Sequence, residues 1–475
     1  MSTNISRRKV VAGAAWAAPV VAASAAVPAF ASSTECEWNS TENYSISGQP
    51  SGARDTLKIT IPAKVDKLRF EVAGGAGGGS AQVAGGSGAL VTGEIPVKAG
   101  QVVELVAAAG GVAYLASEPG VDSAAIWQTR PATGGKGYGN GGDVNEQPVP
   151  ADAKARVEAN APMPSDMKRY LYGGSGGGSS ALIIDGTPIA VAGGGGGAGI
   201  RTQPGTNNMP SSSPFYNPKA VNASTTSLGD TAVKSVLPAG ASASVAAGGD
   251  AETSISHYTV LKPYANERTA MKVAGGKGGN GGVGGAGGEQ PLLYNDANFY
   301  GVLGFTSQNK QELFSSATAG DKGGSGFDGK GADGVFAYSY QIDNNDISKL
   351  EIVHQTNPLN LNEKRPYSEK DTRKSFNGYQ TVVSAGGGAG YGGGGSGAAR
   401  GLSSIITSQK WNANEEPTRY RQNVSALLQA GAGGAGGSYV SPTVPNGIIA
   451  SANNAAKQSG VRNPGYVKVT LCTRS

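Results

Sequence analysis

Alternating apolar and polar positions predict β-strands along much of the chain. Residues 57–61 (LKITI) and 68–72 (LRFEV) alternate with period two, which places one set of side chains on one face of a sheet. Two further strands flank the turn PVKAG. The runs SALII and TPIAV are separated by Asp185 and Gly186, a dipeptide typical of a two-residue hairpin turn. The chain ends on another alternating strand, YVKVTLC at 466–472.

Helical periodicity is weak by comparison. Only SALLQAG, at 425–431, and residues 151–160 are candidates for short helices. The pattern therefore predicts an all-β protein.

Glycine tracts interrupt these strands. The chain has 77 glycines among 475 residues, about 16% against a usual ~7%. A flexible linker needs glycine but no period. A polyglycine-II helix, which has polyproline-II geometry, has three residues per turn and must bond sideways to neighbouring chains. Glycine columns with period three therefore distinguish an ordered bundle from a tether.

The tracts show such columns. Residues 275–288 (GGKGGNGGVGGAGG) have two pure glycine columns, and the third carries Lys277, Asn280, Val283 and Ala286, as expected of a helix at the rim of a bundle. Residues 193–199 and 386–397 have glycine in nearly every column, which predicts helices in the middle. A flexible tether, the alternative, would scatter serine and charged residues evenly. The glycines assigned to the bundle are Gly194, Gly278, Gly281, Gly284, Gly387, Gly393 and Gly434.

The first 31 residues read as an export signal. Arg7 and Arg8 form a twin arginine before an alanine-rich apolar stretch, and Ala29 and Ala31 frame an A-x-A cleavage site. We therefore predict a twin-arginine signal peptide at 1–31 and a mature bacterial protein, 32–475, that is extracellular or held at the cell surface. The alternative is a membrane anchor, which the alanine content and two prolines disfavour.

Two cysteines lie near the ends of this mature chain. Cys36 and Cys472 form an even pair in an oxidising exterior, which predicts one intramolecular disulfide. Free thiols or intermolecular bridges are the alternatives.

Charge and motifs argue against several function classes. The formal net charge is +5, and removal of the signal leaves 36 basic against 34 acidic side chains, or +2. No basic block indicates nucleic-acid binding. His257 and His354 have no neighbour at metal-ligand spacing, and no nucleophile, Walker or paired-carboxylate motif stands out. We therefore predict a protein that is not an enzyme and that carries no metal or cofactor.

The order of strands and glycine tracts resembles a known family. The stretches KLRFEVAGGAGGG, SSALIIDGTPIAVAGGGGGAG, AGGGAGYGGGGSG and NPGYVKVTLC resemble the glycine-rich domain of bacterial surface and secreted proteins. A version of that domain occurs in the extracellular ligand-binding region of the anaplastic lymphoma kinase and leukocyte tyrosine kinase receptors, and phage tail-tip adhesins are more loosely similar. The resemblance implies a β-sandwich-like frame around a polyglycine-II bundle, with recognition or adhesion as the role.

Long polar insertions separate the tracts, near 200–270, 290–320, 338–380 and 401–430. Loops on a rigid scaffold are a usual place for binding residues, although they can also be tolerated surface excursions. We therefore predict a structural protein that self-associates as a layer or filament subunit, with strands near 57–61 and 466–471 pairing between copies. The alternative is an adhesin that binds a surface or glycan through the insertions.

Overall fold

The computed structural model describes residues 36–79, 84–116, 128–148, 169–203, 219–222, 237–238, 252–258, 268–291, 316–341, 378–409, 420–455 and 459–474. These residues form strands, turns and glycine segments, with no helix among them. The predicted all-β class is therefore confirmed. The signal peptide and the candidate helix at 151–160 lie outside the described residues.

Two sheets form one end of the molecule. In spatial order, sheet I contains β1 (Glu37–Ser47), β23 (Tyr466–Thr473), β3 (Val65–Ala73), β4 (Ala89–Pro96), β22 (Ile448–Ser451) and β13 (Leu237–Pro238). Sheet II contains β2 (Asp55–Thr60), β5 (Val102–Ala107), β9 (Ser180–Ile184), β10 (Thr187–Ala192) and β21 (Tyr439–Val440). The pairings of neighbouring strands in both sheets are antiparallel.

Sheets I and II pack face to face over one apolar core. Phe70 and Leu68 from sheet I and Leu105 and Leu182 from sheet II belong to the same cluster, and each is at most 1% exposed. The alternation seen in the sequence produces this core, because every second side chain of a strand faces inward. The hairpin between β9 and β10 turns at Asp185 and Gly186, which both have positive φ, as a two-residue turn requires.

The remaining strands lie in smaller sheets. In spatial order, sheet III contains β12 (Lys219–Asn222), β11 (Ile200–Gln203), β20 (Tyr420–Ala430), β19 (Ala399–Gln409) and β16 (Ser316–Thr318), and sheet IV contains β17 (Phe336–Gln341), β18 (Gly378–Val383) and β8 (Arg169–Tyr172). Two pairs stand apart, β6 (Tyr114–Ala116) with β7 (Gln128–Arg130) and β14 (Glu252–Tyr258) with β15 (Arg268–Ala274).

Some sequence predictions for this part of the chain are wrong. SALLQAG is not a helix, since its first six residues close strand β20, which pairs with β19 over eleven residue pairs. The predicted insertion at 401–430 is therefore largely a hairpin within the described residues. Residues 466–471 are not an exposed edge either, because β23 lies between β1 and β3. Strand β2 does lie at an edge of sheet II.

Glycine segments connect the two ends of the molecule. Residues 173–179 run from β8 in sheet IV to β9 in sheet II, 193–199 from β10 in sheet II to β11 in sheet III, and 431–437 from β20 in sheet III to β21 in sheet II. Sheets I and II therefore lie at one end of these segments, and sheets III and IV at the other. We call the glycine segments between them the glycine bundle. All four predicted insertions begin and end among the strands and segments on the side of sheets III and IV.

Backbone hydrogen bonds hold the bundle together laterally. The segment 385–390 bonds to six neighbours: 140–144, 173–179, 193–199, 329–335, 393–398 and 431–437. Its residues repeat their partners every third position. Residues 386 and 389 donate to 173–179 and accept from 193–199, residues 385 and 388 donate to 431–437 and accept from 393–398, and residues 387 and 390 donate to 329–335. This is the lateral, three-column bonding that the polyglycine-II hypothesis requires of the tracts.

Two tracts that were predicted as single straight helices reverse direction. Residues 275–288 turn between Asn280 and Val283, which form an antiparallel bridge, so that Lys277 donates to the carbonyl of Ala286 across the hairpin. Residues 386–397 turn near Gly392, where φ is 83°. A middle position was predicted for 193–199 and 386–397; the segments 193–199 and 385–390 each bond to neighbours on several sides, while 386–397 supplies two segments rather than one.

Candidate functional site: an aromatic junction beside sheet II

Three aromatic side chains from the glycine tracts pack on the outer face of sheet II, and a fourth contacts two of them. These are Tyr138, Phe327, Tyr391 and Tyr439, which we call the aromatic junction. Each lies in or directly after a glycine tract, in GYG, GFD, GYG and GSY respectively. A glycine segment offers no side chain of its own, so these rings supply the apolar surface where the tracts turn.

Backbone hydrogen bonds between the turns fix the junction. Gly282 donates to the carbonyl of Tyr391 at 3.2 Å, and Gly326 donates to that of Gly282 at 2.9 Å. Gly392 donates to Gly326 at 2.9 Å, and Tyr391 donates to Gly437 at 2.8 Å. The turns that carry Phe327 and Tyr391 and the segment that leads to Tyr439 are thus bonded to one another.

Three of the rings contact one another directly. Phe327 stacks on Tyr391 with ring centroids 4.6 Å apart, and Tyr439 meets Phe327 edge-on at 5.0 Å and Tyr391 at 5.1 Å. These separations fall within the range in which aromatic pairs attract beyond simple burial. Val283, on the neighbouring turn, is 57% exposed.

Sheet II supplies an apolar floor. Val106, Ala181, Ile183 and Val191 form a buried cluster on the face of sheet II that points away from sheet I. Tyr138, Phe327 and Tyr439 pack against that cluster and remain only partly buried. The junction is therefore a half-buried aromatic surface seated on a rigid sheet.

Charged groups border the junction. Burial raises the pKa of the Tyr138 phenol, and the negative charges of Asp328 and Glu104 raise it further. Glu104 also pairs with Lys58, with 3.2 Å between Oε2 and Nζ. Arg54 donates from Nη1 to the carbonyl of Gly137, at 3.2 Å, next to Tyr138. The phenol of Tyr138 therefore stays protonated and can donate or accept a hydrogen bond near neutral pH.

The groups on this surface can form binding contacts. Aromatic rings with a polar edge combine apolar and hydrogen-bonding contacts. Within the described ranges, no group of three or more His, Cys, Asp or Glu side chains could hold a metal ion.

The predicted disulfide is confirmed. Cys36 and Cys472 are bonded, with 5.4 Å between their Cα atoms, and 436 positions separate them in sequence. The bond links the start of β1 to β23, so the two ends of the described chain meet in sheet I.

The predicted bundle glycines have two different environments. A Cβ on Gly194, Gly284, Gly387, Gly393 or Gly434 would overlap a carbonyl oxygen of a neighbouring segment. Gly278 is buried, and its carbonyl oxygen lies 2.6 Å from where a Cβ on Gly285 would sit. The prediction is wrong for Gly281. This residue is exposed in the turn of its tract, its φ is 56°, and a Cβ added to it would have no other atom within 4 Å. Glycine is favoured there by the left-handed backbone and not by packing.

Other predicted residues lie outside the described structure. Arg7, Arg8, Ala29 and Ala31 precede the first described residue, so the export signal and its cleavage site stay predictions. Among the described residues we find no helix that could span a membrane.

Sequence reasoning missed the aromatic junction. Tyr138 and Tyr391 are each flanked by glycine on both sides, and Phe327 follows Gly326 and precedes Asp328. Their meeting depends on the reversal of each tract, which the period of three does not reveal.

Comparison with known proteins adds no assignment. Neither a known family model nor a curated protein sequence matches the chain. The resemblance to glycine-rich surface domains therefore stays a prediction.

Proposed function

We propose that the mature protein is an exported binding protein that acts outside the cell by contact, with the aromatic junction as its recognition surface. The observation that carries this proposal is the half-buried cluster of rings on the outer face of sheet II. Rigid placement favours binding, because little conformational freedom remains to be lost when a partner docks.

The composition of the junction favours a glycan or another amphipathic surface as partner. Tyr and Phe rings can contact the apolar face of a sugar ring, while phenol and carboxylate groups such as those of Tyr138, Asp328 and Glu104 can bond its hydroxyls. The near-neutral formal charge of the mature chain, +2, is consistent with a partner that is not selected by strong charge.

Co-sedimentation with insoluble cell-wall polysaccharide and with glycan-coated beads tests the proposal. The Tyr391→Ala variant should bind at least about tenfold more weakly than the unmodified protein, since central aromatic contacts dominate many interfaces. Tyr466→Ala is the matched control, because Tyr466 is also half-buried but lies on the outer face of sheet I beside Lys468. Equal binding by the two variants, or binding to none of these surfaces, would contradict the junction as a recognition site.

Self-association as a layer or filament subunit is the second candidate function. The observation that favours it is the strand order: β1 lies at one edge of sheet I and β2 at one edge of sheet II. Edge strands present backbone groups that another chain can pair with. Electron microscopy of the purified mature protein tests this candidate, with regular particles or filaments expected and a uniform field of monomers as the contrary result.

A further inference from the structure

Strand β1 covers the outer edge of β23. The two strands pair antiparallel from Glu37 with Thr473 to Ser47 with Tyr466, with an irregularity between Trp38 and Asn43. On its other side β23 is paired with β3, so the removal of β1 would leave one whole edge of β23 open.

The two strands contribute very differently to the core. Val467, Val469 and Leu471 of β23 are fully buried, whereas β1, among those of its side chains that the structure describes, adds the partly buried Tyr44 and Ile46 to the same cluster. Burial of apolar area is the main favourable term in holding an element to a fold. The described side chains of β1 therefore contribute less apolar burial to sheet I than those of β23.

Contacts other than apolar packing hold the start of β1 on the sheet. The Cys36–Cys472 disulfide fixes the strand covalently, and the guanidinium of Arg69 lies 4.1 Å from the centroid of a Trp38 ring. At the far end of the strand, Gly48 donates to the carbonyl of Gly465 at 3.1 Å. When the disulfide opens, β1 keeps its backbone ladder with β23 and side-chain contacts such as the hydrogen bond from Ser47 Oγ to the carbonyl of Gly465.

We infer that the outer edge of β23 is a docking site for an extended strand, and that its occupant in an assembly is β1 of a second copy. This inference deepens the self-association candidate and does not depend on the aromatic junction. The β1 strand of a second copy has the same sequence, so it can pair with β23 in the same register and place its Cys36 beside Cys472. Exchange of an identical element is a low-cost route to association.

The exchange is head to tail when a copy donates its β1 to one neighbour and accepts β1 from another. Such contacts build open chains unless a rotation closes them into a ring. The pairing adds one strand to an existing sheet, as in other cases of strand addition.

The covalent chemistry of this exchange balances without an added oxidant. A low-molecular-weight thiolate attacks the Cys36–Cys472 bond of one copy, stays on one sulfur as a mixed disulfide and releases the other as a thiolate. That thiolate attacks the bond of the next copy, so that each link opens one intramolecular disulfide and forms one intermolecular disulfide. The chain ends with the initiating thiol at one end and a free thiolate at the other.

Light scattering after size-exclusion chromatography tests the inference on the oxidised mature protein. Without thiol we expect the mass of one copy. With a sub-stoichiometric monothiol such as glutathione we expect species at whole multiples of that mass. An equal mixture of ¹⁴N and ¹⁵N copies should then give a cross-linked peptide pair with a light Cys36 and a heavy Cys472. Purely intramolecular pairs after incubation with thiol would overturn the inference.

A second measurement uses the full mature chain carrying Cys36→Ser and Cys472→Ser, with its strand content checked by circular dichroism. A synthetic peptide with the sequence of residues 37–47 should bind this variant and reduce its oligomeric fraction, because it occupies the edge of β23. The oxidised protein should bind the same peptide at least about tenfold more weakly, since its own β1 is held in place covalently. A scrambled peptide is the control, and equal effects of the two peptides would also overturn the inference.

Discussion

Backbone contact determines the residue type at Gly387. Its N–H donates to the carbonyl of Ala332 at 2.9 Å, and a Cβ on this residue would overlap the carbonyl oxygen of Gly394. We expect Gly387→Ala to lower the free energy of unfolding by about 3 kcal/mol, because segments packed on all sides cannot shift apart cheaply. Denaturant titration measures the change.

Ala286 gives the matched comparison. Its side chain is exposed on the rim of the bundle, so Ala286→Ser should change the free energy of unfolding by no more than about 0.5 kcal/mol. Equal losses for both variants would favour flexible tethers over an ordered bundle.

The phenol of Tyr138 should make stability depend on alkaline pH. Burial, together with Asp328 and Glu104, raises its pKa above the ordinary 10.0, so the folded state binds this proton more tightly than the unfolded state. The resulting stability is fully present below the ordinary pKa and is lost as pH rises through the folded-state pKa. Urea titrations near pH 8 and pH 11 should show a smaller alkaline loss for Tyr138→Phe than for the unmodified protein. An identical loss would exclude a contribution from this group.

At the scale of elements, the reversal of the tract 275–288 can be tested with asparagine, a residue that tolerates left-handed backbone. Gly281→Asn should lower the free energy of unfolding by no more than about 1 kcal/mol, since the turn is open and φ is 56°. Gly284→Asn should cost about 3 kcal/mol, because its Cβ would overlap the carbonyl oxygen of Gly323. If the tract were a straight helix at the rim, the two substitutions would lower the free energy of unfolding by similar amounts. Thermal unfolding of the two variants distinguishes these outcomes.

Strands whose own residues define a buried face could be predicted from sequence. The alternation at 68–72 puts Leu68, Phe70 and Val72 in the core, and the Asp185–Gly186 hairpin is present as expected. SALLQAG has helical propensity, but it forms a strand because it pairs with β19. Pairing with another strand cannot be deduced from the segment alone.

The glycine tracts could be predicted only in part. Their period of three indicated which columns meet neighbours, as Gly194 and Gly387 illustrate. The sequence could not predict the turns at Gly281 and Gly392 or the aromatic rings beside them. A turn made of glycine differs from a straight glycine segment only in its backbone angles. Most of the candidate site was therefore invisible in the sequence.

At the scale of the whole molecule, export can be tested apart from folding. We expect the intact mass of exported protein to correspond to an N-terminus at Ser32, with cleavage after Ala31. The double substitution Arg7→Lys, Arg8→Lys should abolish export while leaving folded protein in the cell, because the predicted signal would be read through its twin arginine and would lie outside the mature chain. Export of this variant at the unmodified level would contradict the twin-arginine route.

The lateral bonding of the glycine bundle also has a thermal consequence. In the segment 385–390, peptide groups pack on peptide groups, so unfolding of the bundle hydrates polar backbone more than hydrocarbon. Exposure of polar surface lowers the heat capacity of unfolding, whereas exposure of apolar surface raises it. Calorimetry should therefore give less than the ~12 cal/mol/K per residue of ordinary globular proteins. A smaller heat capacity change flattens the curve of stability against temperature, so the scaffold would keep much of its rigidity over a wide range of temperature.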